Sequence, residues 1–343
     1  MRARPTEPAL LRSPPLVMAL AAFLCFLWCP PAGAAQLRVG TVCWAGFSGL
    51  NVADAKGFWS QQGLEVQVTV YRTNQEVNDA LLQGHVDLAL DMIGSWMGYY
   101  QAGVDIVVLA ETDWSQGGDK ILARTDFDPG DLRGQTVGIY LNKPSVTFFL
   151  DRFLRSQHLA YSDVKVVEAD TQALTDRFIE GKFPVIVNYD PQSLRAVRLG
   201  NGRVYATSAS YPGVIPEGFG ALRERVKQFP PGHLAKFWKG FLQAVTWLQA
   251  PENWREYQRI LNERTFPFDP DFSESDLRAM VDSVSMHSST KLLERNSPRG
   301  GLERYMEDLS AFLLRTGQLR RPMEEGAVLA TESFVAALRE FDR

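Results

Sequence analysis

The chain is poor in the residues on which most site chemistry and covalent bracing depend. Three cysteines occur in 343 residues, Cys25, Cys29 and Cys43. The first two fall in a leader described below. The one thiol left cannot make an internal disulfide, so the fold must be held by its core. Cys43 itself reads as a small buried strand residue. The four histidines, His85, His158, His233 and His287, show no metal-ligand spacing and have no cysteine partners. A Gly-x-Ser-x-Gly elbow, a Gly-x-x-x-x-Gly-Lys loop and a His-Glu-x-x-His helix are all missing. Positive charge is not in excess: 36 Lys and Arg face 40 Asp and Glu, a net −4, and no basic patch stands out. Nucleic acid is therefore not an expected partner. Neither an internal repeat nor a low-complexity linker is visible. The chain reads as a protein that binds without catalysing, and without a cofactor or metal.

What is present begins with a leader. Arg2, Arg4 and Arg12 precede an apolar run from Leu16 to Trp28, and Ala32-Gly33-Ala34 follows. This is the pattern of a cleavable secretory signal over residues 1–34. The run is short for a transmembrane span of ~20 residues. Cleavage would remove three Arg and Glu7, taking the net charge from −4 to −6. Cys29 follows Phe26-Leu27-Trp28, which is not a lipoprotein box.

After the leader, strand and helix patterns alternate. Leu37–Val42, Leu64–Tyr71, Val86–Leu90 and Ile106–Ala110 read as strands, with helices between them. Thr73 and Glu76 form a capping box. The order implies a largely parallel sheet with helices on both faces. A second α/β run follows, with strands Thr136–Tyr140, Val164–Val167, Val185–Val187 and Arg203–Thr207. From Leu222 onward helices dominate, and His233–Gln249 carries a stripe of Leu234, Phe237, Phe241, Val245 and Leu248. Two lobes are expected: 35–125 with 214–343 as the first, including the C-terminal helices, and 126–213 as the second.

Polar and aromatic residues recur just after strands, where ligands sit in open α/β sheets. Trp44 and Phe47 follow the first strand and Asp91 the third. Asp113, Trp114, Ser115 and Asp119 are expected in a glycine-bearing loop after Ile106–Ala110. Asn142 and Ser145 follow Thr136–Tyr140, and Tyr189 follows Val185–Val187. In a two-lobed protein these would line one cleft.

The Trp44-Ala45-Gly46 loop, Asp113-Trp114-Ser115-x-Gly117-x-Asp119, Asp131-Leu132-Arg133-Gly134, Gly181-Lys182 with Tyr189-x-Pro191, and Tyr211-Pro212-Gly213-Val214-Ile215 together resemble periplasmic solute-binding proteins. The group is that of nitrate/sulfonate/taurine-type ABC importers, related to thiamine-pyrimidine-binding proteins. The resemblance implies a type II periplasmic-binding-protein fold that closes by hinge motion on a small molecule. It further implies a periplasmic, monomeric chain that delivers its solute to an ABC permease in the inner membrane. The helix after Pro144, with Lys143, would suit an anionic oxygen, whereas the acids suit an amine or a donor-bearing heterocycle, and a zwitterion suits both. A periplasmic ligand sensor is the alternative use of such lobes. A pyrimidine-synthesis-type enzyme on this fold fits less well, since those relatives are intracellular and carry clustered cysteines.

Overall fold

The first sheet grows outward from the segment Leu37–Val42 (β1), five of whose six residues are buried. We describe it from a computed structural model, which covers residues 36–141 and 143–341. The expected leader and Asn142 lie outside the described residues. β1 pairs in parallel with Val66–Tyr71 (β2) and Leu88–Met92 (β3). Ser48–Ala55 (α1), Asn74–Leu82 (α2) and Ile93–Gln101 (α3) make the crossovers. The Thr73 hydroxyl accepts from the Glu76 N–H while the Glu76 carboxylate accepts from the Thr73 N–H, so the capping box forms as the sequence predicts. Ser48 does not cap α1. It is the first helical residue, and its hydroxyl donates to the Ala45 carbonyl at 2.6 Å.

The fourth strand, Ile106–Ser115 (β4), runs five residues beyond the apolar stretch that announces it. The chain then crosses to a second sheet through Gln116–Gly118. Asp119–Arg124 (β5) already belongs to that sheet, so the crossing precedes the boundary expected at 125. The second sheet has the order β7-β6-β8-β5-β9. Its strands are Thr136–Ile139 (β6), Lys165–Glu168 (β7), Val185–Tyr189 (β8) and Gly202–Thr207 (β9). Its helices are Pro144–Ser156 (α4), Thr171–Ile179 (α5) and Gln192–Leu199 (α6).

The chain returns as Pro216–Leu222 (β10). This strand wedges antiparallel between β3 and β4, giving the order β11-β4-β10-β3-β1-β2, with β11 at Val284–Met286. The first sheet is therefore mixed and not largely parallel. The wedge requires glycine: a Cβ at Gly218 would lie 1.9 Å from the Ala110 carbonyl oxygen, and one at Gly220 2.6 Å from the Trp96 indole. Behind β10, Phe219 packs edge-on to Phe237, Trp238 and Phe241 of the helix His233–Gln249, with ring centroids 5.2–5.4 Å apart. Each such ring contributes about 1.5–3 kcal/mol by burial. That apolar stripe is the one read from the sequence.

Two polar features fix the frame. Asp87, fully buried, accepts from the Arg38 guanidinium at 2.6 Å and from Arg225 at 2.7 Å. Burial pushes its carboxyl up, but the two guanidinium groups outweigh burial and hold it below the ordinary value. Late in the chain, the helix Gly301–Arg315 leans on α4. Phe312 lies 5.3 Å from Phe148, and Arg315 pairs with Asp151 at 2.6 Å. The described residues from Leu37 onward thus form one compact unit containing both sheets.

Candidate functional site

The carboxyl ends of β1, β3, β6 and β8 meet near the crossing at Gln116–Gly118 and enclose a small cavity. Of the residues singled out from the sequence, Trp44, Phe47, Asp91, Asp119 and Tyr189 line it. Val42, Asn74, Met92, Tyr140 and Glu217 complete the wall. The room for the centre of a water-sized body is about 20 Å³, which suits about one water molecule. A solute of several heavy atoms does not fit in this space.

The lobes touch closely around this space. The Tyr140 hydroxyl lies 3.3 Å from Met92 Sδ, and the Trp44 and Tyr189 rings meet edge-on at 5.8 Å. A Cβ at Gly118 would come within 2.0 Å of the Trp44 ring. At the start of α3, a Cβ at Gly94 would lie 2.3 Å from Ser145 Oγ of α4. The site and its rim are closed by residues too small to hold the lobes apart.

The electrostatics are one-sided. Asp91, Asp113, Asp119 and Glu217 are all buried. Among the described residues the cavity wall carries no Lys, Arg or His. Lys120, next to Asp119, points elsewhere and pairs with Asp190. Asp91 Oδ1 accepts from Asn74 Nδ2 at 2.9 Å and from the Met92 N–H at 2.7 Å, and the Asn78 and Ser95 side chains are further uncharged donors beside the carboxyl. Burial pushes the Asp91 carboxyl up to about 6 despite those donors. Asp119 accepts from the Tyr140 hydroxyl at 2.7 Å, and burial again raises its pKa. Glu217 is raised well above the carboxylate range, by burial first and by the charge of Asp113 next. The Tyr140 and Tyr189 hydroxyls are raised too, chiefly by burial, so they remain neutral donors.

Several expected site residues lie elsewhere. Asp113 sits behind the wall and faces Glu217 across β4 and β10. Trp114 points from the other side of β4, because neighbouring side chains on a strand alternate. Its ring packs on His287 at 4.7 Å, with Lys291 Nζ 3.5 Å from its centroid. Ser115 braces the crossing: its hydroxyl bonds Ser208 Oγ at 2.8 Å and accepts from the Asp119 N–H at 3.0 Å. Ser145 is buried beneath Gly94, outside the wall. Lys143 lies over the Tyr99 ring at 4.7 Å, so it adds no charge to the cavity. Asp113, Trp114 and Ser115 belong to a strand and Asp119 opens the next, so the expected loop shrinks to Gln116–Gly118.

Sequence reasoning missed Glu217, Tyr140, Asn74 and Met92. Tyr140 could have been found, since it ends the strand pattern Thr136–Tyr140 just where the other candidates were placed. Glu217 could not, because Gly218 and Gly220 hide the strand that carries it. The cations gather instead at a separate cleft of about 550 Å³ between α4 and Gly301–Arg315, where Arg152, Arg155, Arg295 and Arg304 converge.

Comparison with known proteins agrees with this architecture. A family described as "NMT1/THI5 like" matches residues 44–251. The binding protein YtlA of Bacillus subtilis (strain 168) is 24% identical over 216 residues, covering 59% of this chain and 63% of that relative. The chain thus aligns with less than two thirds of the relative's length. Among solved structures, the alkanesulfonate-binding protein SsuA of Xanthomonas axonopodis pv. citri, bound to MOPS, superposes with a TM-score of 0.70 at 15% identity, covering 88% of this chain and 99% of that one. The periplasmic nitrate-binding protein NrtA of Synechocystis PCC 6803 gives 0.71 at 16% identity, covering 90% and 89%. At such identities the likeness establishes the fold, which is that of periplasmic binding proteins.

Proposed function

Since the chain belongs to the NMT1/THI5-like family, we propose that it is the substrate-binding component of an ABC-type importer, capturing a small polar organic solute by closure of two lobes. In this reading it works in the periplasm as a monomer and hands its solute to a permease. The lobes are 37–115 with 216–341, and 119–207, hinged at the two crossings between them. No bond is made or broken: the ligand stabilises the closed state by touching both lobes.

The observation that carries the reading is the convergence of three buried carboxyls, Asp91, Asp119 and Glu217, and four aromatic side chains, Trp44, Phe47, Tyr140 and Tyr189, on one interlobe cavity. Acceptors without cations select a solute that presents N–H donors, an amine or a nitrogen heterocycle, over a bare anion. Asp91 and Glu217 from the first lobe and Asp119 from the second would accept from it, with Trp44, Phe47 and Tyr189 against its faces. The sulfonate and nitrate named for the similar structures carry the opposite charge.

A thermal-shift panel of amines, nitrogen heterocycles, alkanesulfonates and nitrate tests this. Stabilisation by the first two classes is expected. Stabilisation by the anions alone would discard the donor-bearing ligand.

A further inference from the structure

Asp113 and Glu217 stand directly opposite each other in the β4–β10 pair, and both are buried. Two carboxyls buried side by side with no cation between them resist carrying two charges, so the pair retains one proton. Every other contact of the pair is with a donor that carries no charge. Trp44 Nε1 donates to Glu217 Oε2 at 2.5 Å, and Thr112 Oγ1 donates to Asp113 Oδ2 at 2.8 Å. The approach is tight: a Cβ at Gly46 would meet Asp113 Oδ1 at 2.6 Å and Glu217 Oε2 at 3.0 Å.

The charged and titratable groups around the pair do not supply a cation either. Asp119 of β5 and Asp91 of β3 add negative charge on the cavity side, and Glu111 of β4 does so behind. Glu111 is itself paired with Arg295 at 2.7 Å and with His287 at 3.2 Å. Among the described residues His287 lowers Asp113 through its charge, and its Nε2 faces Glu111 at 3.2 Å. Tyr140, Tyr189 and Tyr257 are phenols held neutral by burial. On the opposite wall the buried Asp91 carboxyl meets only uncharged donors, Asn74, Asn78, Ser95 and the Met92 N–H.

We propose that the cavity takes an organic ammonium ion, and that this ion enters in exchange for the proton shared by Asp113 and Glu217. This deepens the solute-binding reading above and rests on it. The balance is simple. One R–NH₃⁺ enters, one H⁺ leaves the Glu217–Asp113 pair for a buffer base, and the net charge of the cavity is unchanged. The ammonium N–H groups then donate to the Asp91 carboxylate and the freed Glu217 carboxylate, and its stem lies against the faces of Trp44 and Tyr189. Burial first and the charge of Asp113 next both favour the protonated form of Glu217, so the pair holds its proton until a cation displaces it.

The test is calorimetry on the leaderless chain at pH 7, in two buffers of different ionisation enthalpy. The probes are methylammonium, ethanolammonium and 2-aminoethanesulfonate, with uracil and ethanesulfonate as uncharged and anionic controls. The expected result is binding of at least one ammonium probe with about one proton released per ligand. Glu217→Gln, which keeps the shape of the pair, should bind that probe about tenfold to a hundredfold more weakly and release no proton. Asp91→Asn should weaken binding similarly while still releasing the proton.

Ammonium binding without proton release overturns the exchange, as does unchanged release from Glu217→Gln. Binding of uracil alone overturns the ammonium ligand while leaving capture of a donor-bearing solute intact. Binding of ethanesulfonate alone removes both. No heat with any ammonium probe also overturns the proposal.

Discussion

Ser115 Oγ and Ser208 Oγ lie 2.8 Å apart and tie together the two segments by which the chain crosses between its sheets. Ser208 also accepts from the Gly117 N–H at 2.7 Å, and Ser115 N–H donates to the Ile215 carbonyl at 3.1 Å. The outgoing and returning crossings therefore share one buried hydroxyl pair. Any hinge motion has to pivot about it or break it.

Replacing Ser208 by alanine leaves the Ser115 hydroxyl and the Gly117 N–H without this partner. The expected loss is about 1–3 kcal/mol in unfolding free energy, read from urea denaturation. Amide exchange at Gly117 and Asp119 should quicken more than exchange in β1. Uniform quickening would mean that the pair contributes only to global stability.

Gly118, in the crossing between the two sheets, lies against the Trp44 indole. Gly118→Ala places a methyl group where closure puts the ring. Overpacking of this kind costs about 1–3 kcal/mol, and here the closed state bears it. Ligand affinity should fall about tenfold or more, with the melting temperature of the free protein changed little. An unchanged affinity would show that Trp44 can turn aside.

Asp91 should make the protein less stable as pH rises through mild acidity. Its carboxyl is raised by burial from 3.8 to about 6, so between those values the folded chain holds a proton that the unfolded chain has lost. Stability then falls with rising pH across that window and is level above it. Asp91→Asn removes this dependence. The gain of the variant over the parent should grow from pH 4 to pH 6 towards about 3 kcal/mol, measured by denaturant titration at each pH. A constant difference would place the buried charge elsewhere.

Asp87 has the opposite sign. Arg38 and Arg225 hold its pKa below the ordinary value, so its contribution is present above the unfolded carboxylate range and is lost as pH falls through the folded pKa. Asp87→Asn should destabilise by about 3 kcal/mol at pH 7, the lower end for a broken buried pair, because both arginines are about a third exposed. The penalty should shrink in acid. Equal penalties at pH 3 and pH 7 would assign the effect to packing.

Local signals carried much of the fold. The Thr73–Glu76 box and the stripe of His233–Gln249 depend on neighbours three and four residues apart, which a linear reading sees. Long-range partners were not visible. Nothing near Glu217 in sequence announces Asp113, and the apolar run ending at Ala110 concealed that β4 continues through polar, buried Glu111 to Ser115. Those polar residues are inside because Asn296, Arg295 and Thr112 satisfy them. The direction of Trp114 was lost for the same reason: without the strand there is no alternation to apply. The aromatic and acidic membership of the site was legible, whereas its pairing was not.

The wedging of β10 between β3 and β4 sets an order of assembly. Strands β5 to β9 are contiguous in the chain and can pair as soon as residue 207 has been made. The first sheet stays split between β3 and β4 until residues 216–222 arrive to fill it. Contacts of such sequence separation form slowly. A nascent chain stopped before Pro216 would therefore carry a finished second lobe and a first lobe with two open edges, exposed to aggregation.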